Sequence, residues 1–413
     1  MKAVVYHGLG DIRVDTVSDP HLKESTDAIV RITASAICGT DLHMVRGTFP
    51  GMKSGTILGH EGVGVVEEVG KEVRNMRVGD RVVIPSTIAC GYCSYCRGGY
   101  YAQCDDANPH GARAGTAFFG GPVLTGPYDG LQAEYARVPY AHVGLVKVPD
   151  NVSDDQAILL SDILPTAYFG ARLAQVEPGD TVAVFGCGPV GQFVIASAKL
   201  LGAERIFAVD TIPSRLEMAR QQGAEAIDFN QVDPVQAIEQ LTQGRGADCV
   251  VDAVGVDANR PHSGPAAEQA EQLEEQHFKD ERKEAAPSNK PKGDNWHQGD
   301  APSQVIRWAV EAVAKGGTFG IIGVYPQTAQ FLPIGRVMDK QLLINSGNCN
   351  HRKYLPELVR LTSAGVLNPQ AILTQVEPLT DAISAYKAFD ERQPGWIKVM
   401  LEPQSMDGQN GKA

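Results

Sequence analysis

The chain has 413 residues, 43% of them hydrophobic, and a formal charge of −12 at pH 7. That length accommodates more than one core, since domains usually run about 100–200 residues. The acidic balance opposes a general nucleic-acid role, which needs a basic face, and no run of about 20 uninterrupted apolar residues offers a membrane span.

In chain order, the opening MKAVVYHGLGDIRV is a short alternating, strand-like run without the apolar core of a signal peptide, so cytoplasmic residence is expected. Residues 1 to 150 are rich in Gly, Val and short β-type runs such as EGVGVVEEVG and DRVVIP, punctuated by turn signals, and read as an all-β region. Within it, CGYCSYCRGGYYAQC places Cys90, Cys93, Cys96 and Cys104 in a single lobe, 90–104. Such spacing lets four thiolates meet one tetrahedral zinc. Two disulfides, which would need an oxidising compartment, and four unrelated thiols are the alternatives.

From about residue 178 the texture changes to strand, helix, strand: TVAVFG, PVGQFVIASAKLLG, RIFAVD, SRLEMARQQGA, DCVVDAVG. This alternation predicts a parallel sheet with crossover helices. The first turn, Gly186, Gly188, Pro189, Val190 and Gly191, is G-x-G-x-x-G directly after an apolar strand and at the start of a helix. There glycines let the backbone approach a pyrophosphate at the helix N-terminus. Asp210 ends the next strand, where a carboxylate accepts hydrogen bonds from ribose hydroxyls and repels a 2′-phosphate, so NAD is favoured over NADP; Arg215 nearby softens that discrimination. Residues 257–301 then interrupt the pattern with a polar segment containing few large apolar residues. Its composition predicts a solvated excursion with a helical middle. It leaves the carboxyl edge of the sheet, which also makes it a candidate lid over a dinucleotide or a subunit contact. Two helical runs and a closing strand, IKVMLEP, follow.

CGTDLH at 38–43, GHEGVGVVEEVG at 59–70, the cysteine lobe, SDILPTAYFG at 161–170 and the glycine-rich turn occur in an order that resembles the zinc-dependent medium-chain alcohol dehydrogenases over nearly the whole chain. LLSDILPTAY and EYARVPYA look most like the branch with glutathione-independent formaldehyde dehydrogenases and aldehyde dismutases. The resemblance implies an α/β protein: a GroES-like, β-rich catalytic domain from 1–163 and 348–413, and a doubly wound Rossmann NAD domain from 164–347 that carries the insertion. It implies two zinc ions per chain, one catalytic on Cys38, His60 and Asp162 and one structural on the four-cysteine lobe. A thiolate, an imidazole and a carboxylate with a fourth position open form a coherent catalytic zinc set.

The same resemblance makes Asp41 the acid that holds the His60 ring and sets Glu61 behind the metal as a transient ligand. Thr40 and His43 become a proton relay ending in a surface imidazole, and Lys398 a contact to the cofactor phosphates. Phe49 and Ser86 match pocket-lining positions, and His110 is a further candidate there. The implied reaction is hydride transfer between an alcohol or aldehyde and NAD, in a homo-oligomer (dimer or tetramer) without nucleic-acid or membrane partners. A zinc-free reductase would lack Cys38, His60 and Asp162 as a set. Polyol or threonine dehydrogenation and aldehyde dismutation with tightly held NAD are the alternatives among enzymes.

Overall fold

The computed structural model describes residues 1–111, 115–286 and 293–403. Packing divides the chain into two units: Met1–Pro165 with Pro291–Trp296 and Cys349–Ala413, and Thr166–Lys290 with His297–Asn348. No helix among the described residues is long and apolar enough to cross a membrane.

The first unit is organised around the strand Ala28–Ile37, whose run of Ala, Ile and Val is buried at eight of ten positions. Such near-continuous burial, rather than alternation, marks a strand covered on both faces. It pairs antiparallel with Gly62–Val69, Tyr135–Val138 and Val399–Glu402. Arg81–Ile84 and Val146–Lys147 extend one side and Gln375–Pro378 the other. The closing strand therefore completes a sheet begun some 370 residues earlier (399 − 28 = 371). A separate hairpin, Lys2–Gly8 with Asp11–Thr16, packs its Val4, Tyr6 and Ile12 into a core with Leu42, Met44, Tyr386 and Phe389.

The second unit is a six-stranded parallel sheet in the spatial order Glu225–Asp228, Arg205–Asp210, Thr181–Phe185, Ala247–Asp252, Val313–Ile321, Leu343–Ser346. Numbered within the unit this is 3-2-1-4-5-6, the doubly wound dinucleotide-binding arrangement. Its first strand, TVAVF, is buried at all five positions, as expected for a central parallel strand.

The insertion has the helical middle expected of it and leaves most of that stretch exposed or half-buried, but a few buried residues seat it on the protein. Helices Ala267–Leu273 and Lys279–Ala285 flank a π-helical turn, Glu274–Phe278, and Ala270, Phe278 and Ala285 are buried. Arg282 donates to both oxygens of Glu274 at 2.7 Å and to Asp300 O at 2.7 Å. One phenylalanine, small alanines and a partly buried ion pair suffice to seat the segment, which composition does not register. A second difference is that residues 293–296 pack with the first unit, whereas the sequence places all of 257–301 in the cofactor half. The reason is Trp296, which is only 8% exposed in the core that holds Tyr6, Leu42 and Phe389.

Candidate active site

Three separate stretches of the first unit converge on one buried cluster. Cys38 stands at the N-cap of the helix Gly39–Arg46, its extended backbone ending the central strand and turning into the helix. His60 and Glu61 immediately precede the strand Gly62–Val69. Asp162 sits at the break between helices Asp154–Ser161 and Ile163–Leu173. One donor atom each from Cys38, His60, Glu61 and Asp162 lies within 4.8 Å of all the others. His60 Nε2 is 3.4 Å and Cys38 Sγ 3.9 Å from Asp162 Oδ2. Zinc bonds of about 2.0–2.3 Å in a tetrahedron separate ligand atoms by about 3.3–3.8 Å, so the three donors fit one ion.

The surrounding groups orient each donor. Asp41 Oδ1 is 3.0 Å from His60 Nδ1, turning Nε2 toward Asp162, and Asp41 Oδ2 accepts from Cys38 N at 2.9 Å. A carboxylate so placed fixes the orientation of an imidazole that would bind a metal. Phe118 meets the His60 ring edge-on, centroids 6.4 Å apart. Burial pushes the Cys38 thiol and the Glu61 carboxyl up. Burial also opposes charge on Asp162, but hydrogen bonds with His351 and His60 outweigh it and hold the carboxyl well below its ordinary range. A divalent cation is the partner that would let the Cys38 thiol lose its proton beside the Asp162 carboxylate.

Several expected residues are placed differently. Lys398 is fully buried, donating to Glu61 Oε1 at 2.7 Å and to Ile37 O at 3.0 Å. It is therefore not a phosphate contact: its ammonium neutralises Glu61, whose Oε2 it also approaches to 2.6 Å. His43 is only 3% exposed, with Nδ1 3.4 Å from Thr48 Oγ1 and its ring 6.0 Å from that of Phe49. The surface imidazole is corrected to a buried one, because the apolar side of its helix packs into the core. Thr40 lies half-buried one turn earlier on that helix. Ser86, matched to a pocket wall, turns its hydroxyl onto Asp162 Oδ1 at 2.9 Å. His110 is exposed and bonds Val123 O at 2.9 Å.

His351 was missed. It opens the helix His351–Ser363, is 2% exposed, and places Nε2 2.7 Å from Asp162 Oδ1. Burial works against its charge, yet Cys349 and Asp162 hold it protonated to about 10. Ser86 and His351 thus share Oδ1, leaving Oδ2 turned toward Cys38 and His60. The one signal in the sequence is NCNH at 348–351, a Cys and a His two residues apart with no fixed spacing to the other ligands.

The lobe 90–104 brings all four sulfurs together. Cys90 and Cys96 Sγ are 3.9 Å apart, as are those of Cys93 and Cys104, and all four cysteines are free. A disulfide would need about 2.05 Å. Backbone N–H groups of Cys93, Cys96 and Cys90 point at the sulfurs of Cys90, Cys93 and Cys104 at 3.2–3.4 Å, although burial still pushes the Cys90 and Cys96 thiols up. Burial raises Cys93, but backbone donors at Cys96 and Asp105 outweigh it and bring the thiol to about 7. Four sulfurs around one point leave no open position, so a metal held here would be structural.

In the second unit the glycine-rich turn leads from Thr181–Phe185 into the helix Pro189–Leu200. Gly186 has φ +90°, and a Cβ on Gly191 would stand 1.8 Å from Gly186 O, so both glycines are required by the turn itself. Gly188 is different: a Cβ there would meet only the Arg215 guanidinium at 3.7 Å, an ordinary contact. The chain's own packing leaves that space open beside the helix N-terminus, as a bound pyrophosphate would require. Asp210 Oδ2 accepts from Cys187 N at 2.8 Å, and Oδ1 accepts from Thr211 N and Ile212 N at 2.7 and 3.0 Å. Those bonds lock the carboxylate at the turn, with Arg215 Nη1 3.9 Å away.

The sequence profile of the alcohol dehydrogenase GroES-like domain matches residues 24–150, and that of the zinc-binding dehydrogenases matches residues 189–263. The uncharacterized zinc-type alcohol dehydrogenase-like protein AdhB of Bacillus subtilis is 37% identical over 407 residues, 98% of this chain and 100% of the relative. This chain belongs to the zinc-dependent medium-chain alcohol dehydrogenase family and is an oxidoreductase. Glutathione-independent formaldehyde dehydrogenase of Pseudomonas aeruginosa is 41% identical over 281 residues, 65% of this chain and 69% of the relative. Among solved structures, alcohol dehydrogenase TADH from Thermus sp. ATN1 superposes with TM-score 0.79 at 34% identity, covering 98% of this chain and all of the other.

Proposed function

We propose that this protein transfers hydride between an alcohol or aldehyde and NAD, using a catalytic zinc on Cys38, His60 and Asp162, and that the Cys90–Cys93–Cys96–Cys104 lobe holds a second, structural zinc. The observation that carries the reading is the convergence of a thiol, an imidazole and a carboxylate from three distant stretches into one buried cluster, with Asp41 behind the imidazole. When bound, the catalytic ion supplies Lewis-acid polarisation of a hydroxyl or carbonyl oxygen. The chain's own groups handle the proton. Thr40 Oγ1 is the first acceptor, and the His43 imidazole, three residues further along the same helix face, is the next. Because His43 is buried, Thr48 Oγ1 beside its Nδ1 is the group through which the proton continues.

In the second unit, Gly186, Gly188, Pro189, Val190 and Gly191 receive the pyrophosphate, and Asp210 selects a free ribose over a 2′-phosphate. The reading extends to a cytoplasmic homo-oligomer. A second reading, formaldehyde oxidation or aldehyde dismutation with retained NAD, is favoured by the likeness to the Pseudomonas aeruginosa enzyme; polyol or threonine-type oxidation is a further alternative. The test combines elemental analysis with a panel of short alcohols and aldehydes, following reduced-nicotinamide absorbance with NAD and with NADP. Two zinc ions per chain and turnover with NAD are expected. Conversion of an aldehyde to equal alcohol and acid without net absorbance change selects dismutation, and no turnover of any member with either cofactor refutes the proposal.

A further inference from the structure

Asn295 and Trp296, near the end of the insertion, pack within the first unit. Trp296 is buried there among Tyr6, Ile12, Leu42 and Val45, with its backbone at φ +67°. A left-handed conformation is a strained one for so bulky a residue and persists only where its surroundings hold it. Its indole Cδ1 lies over Gly10, where even a Cβ would approach to 3.3 Å, and Gly10 N donates to Val45 O at 3.0 Å. The Trp296 backbone N–H donates to Asp390 Oδ2 at 2.5 Å, while Asn295 Nδ2 donates to Lys387 O at 3.1 Å and reaches Asp390 Oδ2 at 3.4 Å.

The same Asp390 carboxylate is the partner of Arg46. Arg46 Nη2 and Nε donate to Asp390 Oδ1 at 2.6 and 3.1 Å, and both side chains are 2% exposed. Arg46 is the last residue of the helix Gly39–Arg46, whose other end carries Cys38 at the cap, then Thr40 and Asp41. One buried carboxylate thus joins the tip of the insertion to the helix that presents the metal-binding thiol.

We propose that Asn295 and Trp296 are positioning residues for the catalytic metal site: by holding Asp390 against Arg46 they set the orientation of the helix that delivers Cys38, Thr40 and Asp41. The inference rests on the reading of Cys38, His60 and Asp162 as a metal site. Its leverage follows from helix geometry. Eight residues span about 12 Å, so a tilt of about 5° at the Arg46 end moves the Cys38 end by about 1 Å. Displacement on that scale lowers a reaction rate by about 10²-fold.

The test uses the full-length, metal-loaded enzyme and compares Trp296→Ala, Trp296→Phe and Asn295→Ala with wild type by kcat, KM, zinc content, melting temperature and the visible spectrum after exchange of the catalytic zinc for cobalt. Expected for Trp296→Ala is a fall in kcat of about 10-fold or more, a smaller change in KM, and a shifted cobalt spectrum, with Trp296→Phe recovering most of both. A Trp296→Ala protein that melts earlier but keeps the wild-type kcat and cobalt spectrum overturns the proposal, because a merely structural anchor behaves that way. If Trp296→Ala does not fold, Asn295→Ala decides: a shifted spectrum with lowered kcat supports the positioning role, and wild-type values for both overturn it. Failure of the wild type to take up cobalt at Cys38, His60 and Asp162 overturns the site reading itself and this inference with it. Normal uptake with insensitive variants sinks the positioning role alone.

Discussion

Replacing Lys398 by Met removes one member of a fully buried ion pair and leaves Glu61 beside Cys38 and Asp162. The pair is 2.6 Å apart with both side chains 0% exposed. At an effective dielectric of about 20 its Coulomb attraction is about 6 kcal/mol. The variant does not lose that full amount, because Glu61 can take a proton instead. Protonating a carboxyl of ordinary pKa 4.5 at about pH 7.5 costs roughly 3 units at 1.36 kcal/mol each, or about 4 kcal/mol, within the 3–5 kcal/mol typical of a broken buried pair. A zinc bound by the Cys38 thiolate, the Asp162 carboxylate and neutral His60 is formally uncharged as a set and supplies Glu61 with no replacement cation.

The sign is then fixed. In the variant the folded-state Glu61 pKa stands above its unfolded value, so the folded protein carries the extra proton and stability falls as pH rises. The destabilisation is therefore about 4 kcal/mol at about pH 7.5 and shrinks by about 1.4 kcal/mol per unit down to about pH 5.5. Urea denaturation of wild type and Lys398→Met across this range checks it, and Glu61→Gln with Lys398→Met, which removes both charges, recovers most of the loss. A destabilisation below about 1 kcal/mol that is flat with pH would refute the reasoning, showing that Glu61 is not held as an anion by Lys398.

Cys93→Ala removes one of four sulfurs around the closed site and is expected to lower stability and soluble yield, whereas His60→Ala keeps the fold and abolishes turnover; zinc content and melting curves of the two separate the sites. Asp210→Gly removes the carboxylate locked at the glycine turn and should weaken NAD relative to NADP, read as the ratio of kcat/KM for the two; a wild type that already prefers NADP contradicts the assignment. His351→Leu strips Asp162 Oδ1 of its nearest donor and should weaken zinc retention at the catalytic site by about 10- to 100-fold, measured by competition with a chelator while the cysteine lobe stays loaded.

The cysteine lobe, the glycine turn and the order of strands and helices in the cofactor half were legible because each is local. Cys90 to Cys104 are brought together by the turns of a short loop, and Gly186 and Gly191 are demanded by a single strand-to-helix corner. Cys38, His60 and Asp162 became readable only together, through the resemblance of their flanking motifs, since nothing in a spacing of 22 and 102 residues (60 − 38 and 162 − 60) implies contact. What surrounds them was decided by tertiary packing. Lys398 reaches Glu61 only because the closing strand returns beside Ala28–Ile37, and Val399 then pairs with Ile37. His351 reaches Asp162 across 189 positions. Trp296, inside a segment whose composition reads as solvated, finds Asp390 and Arg46 in a core built from both ends of the chain. Side-chain chemistry and short spacings specify which groups can bind a metal or turn a loop. Whether a charged residue ends in water or inside an ion pair depends on chain segments hundreds of positions apart, whose meeting is set by the summed burial of the whole fold.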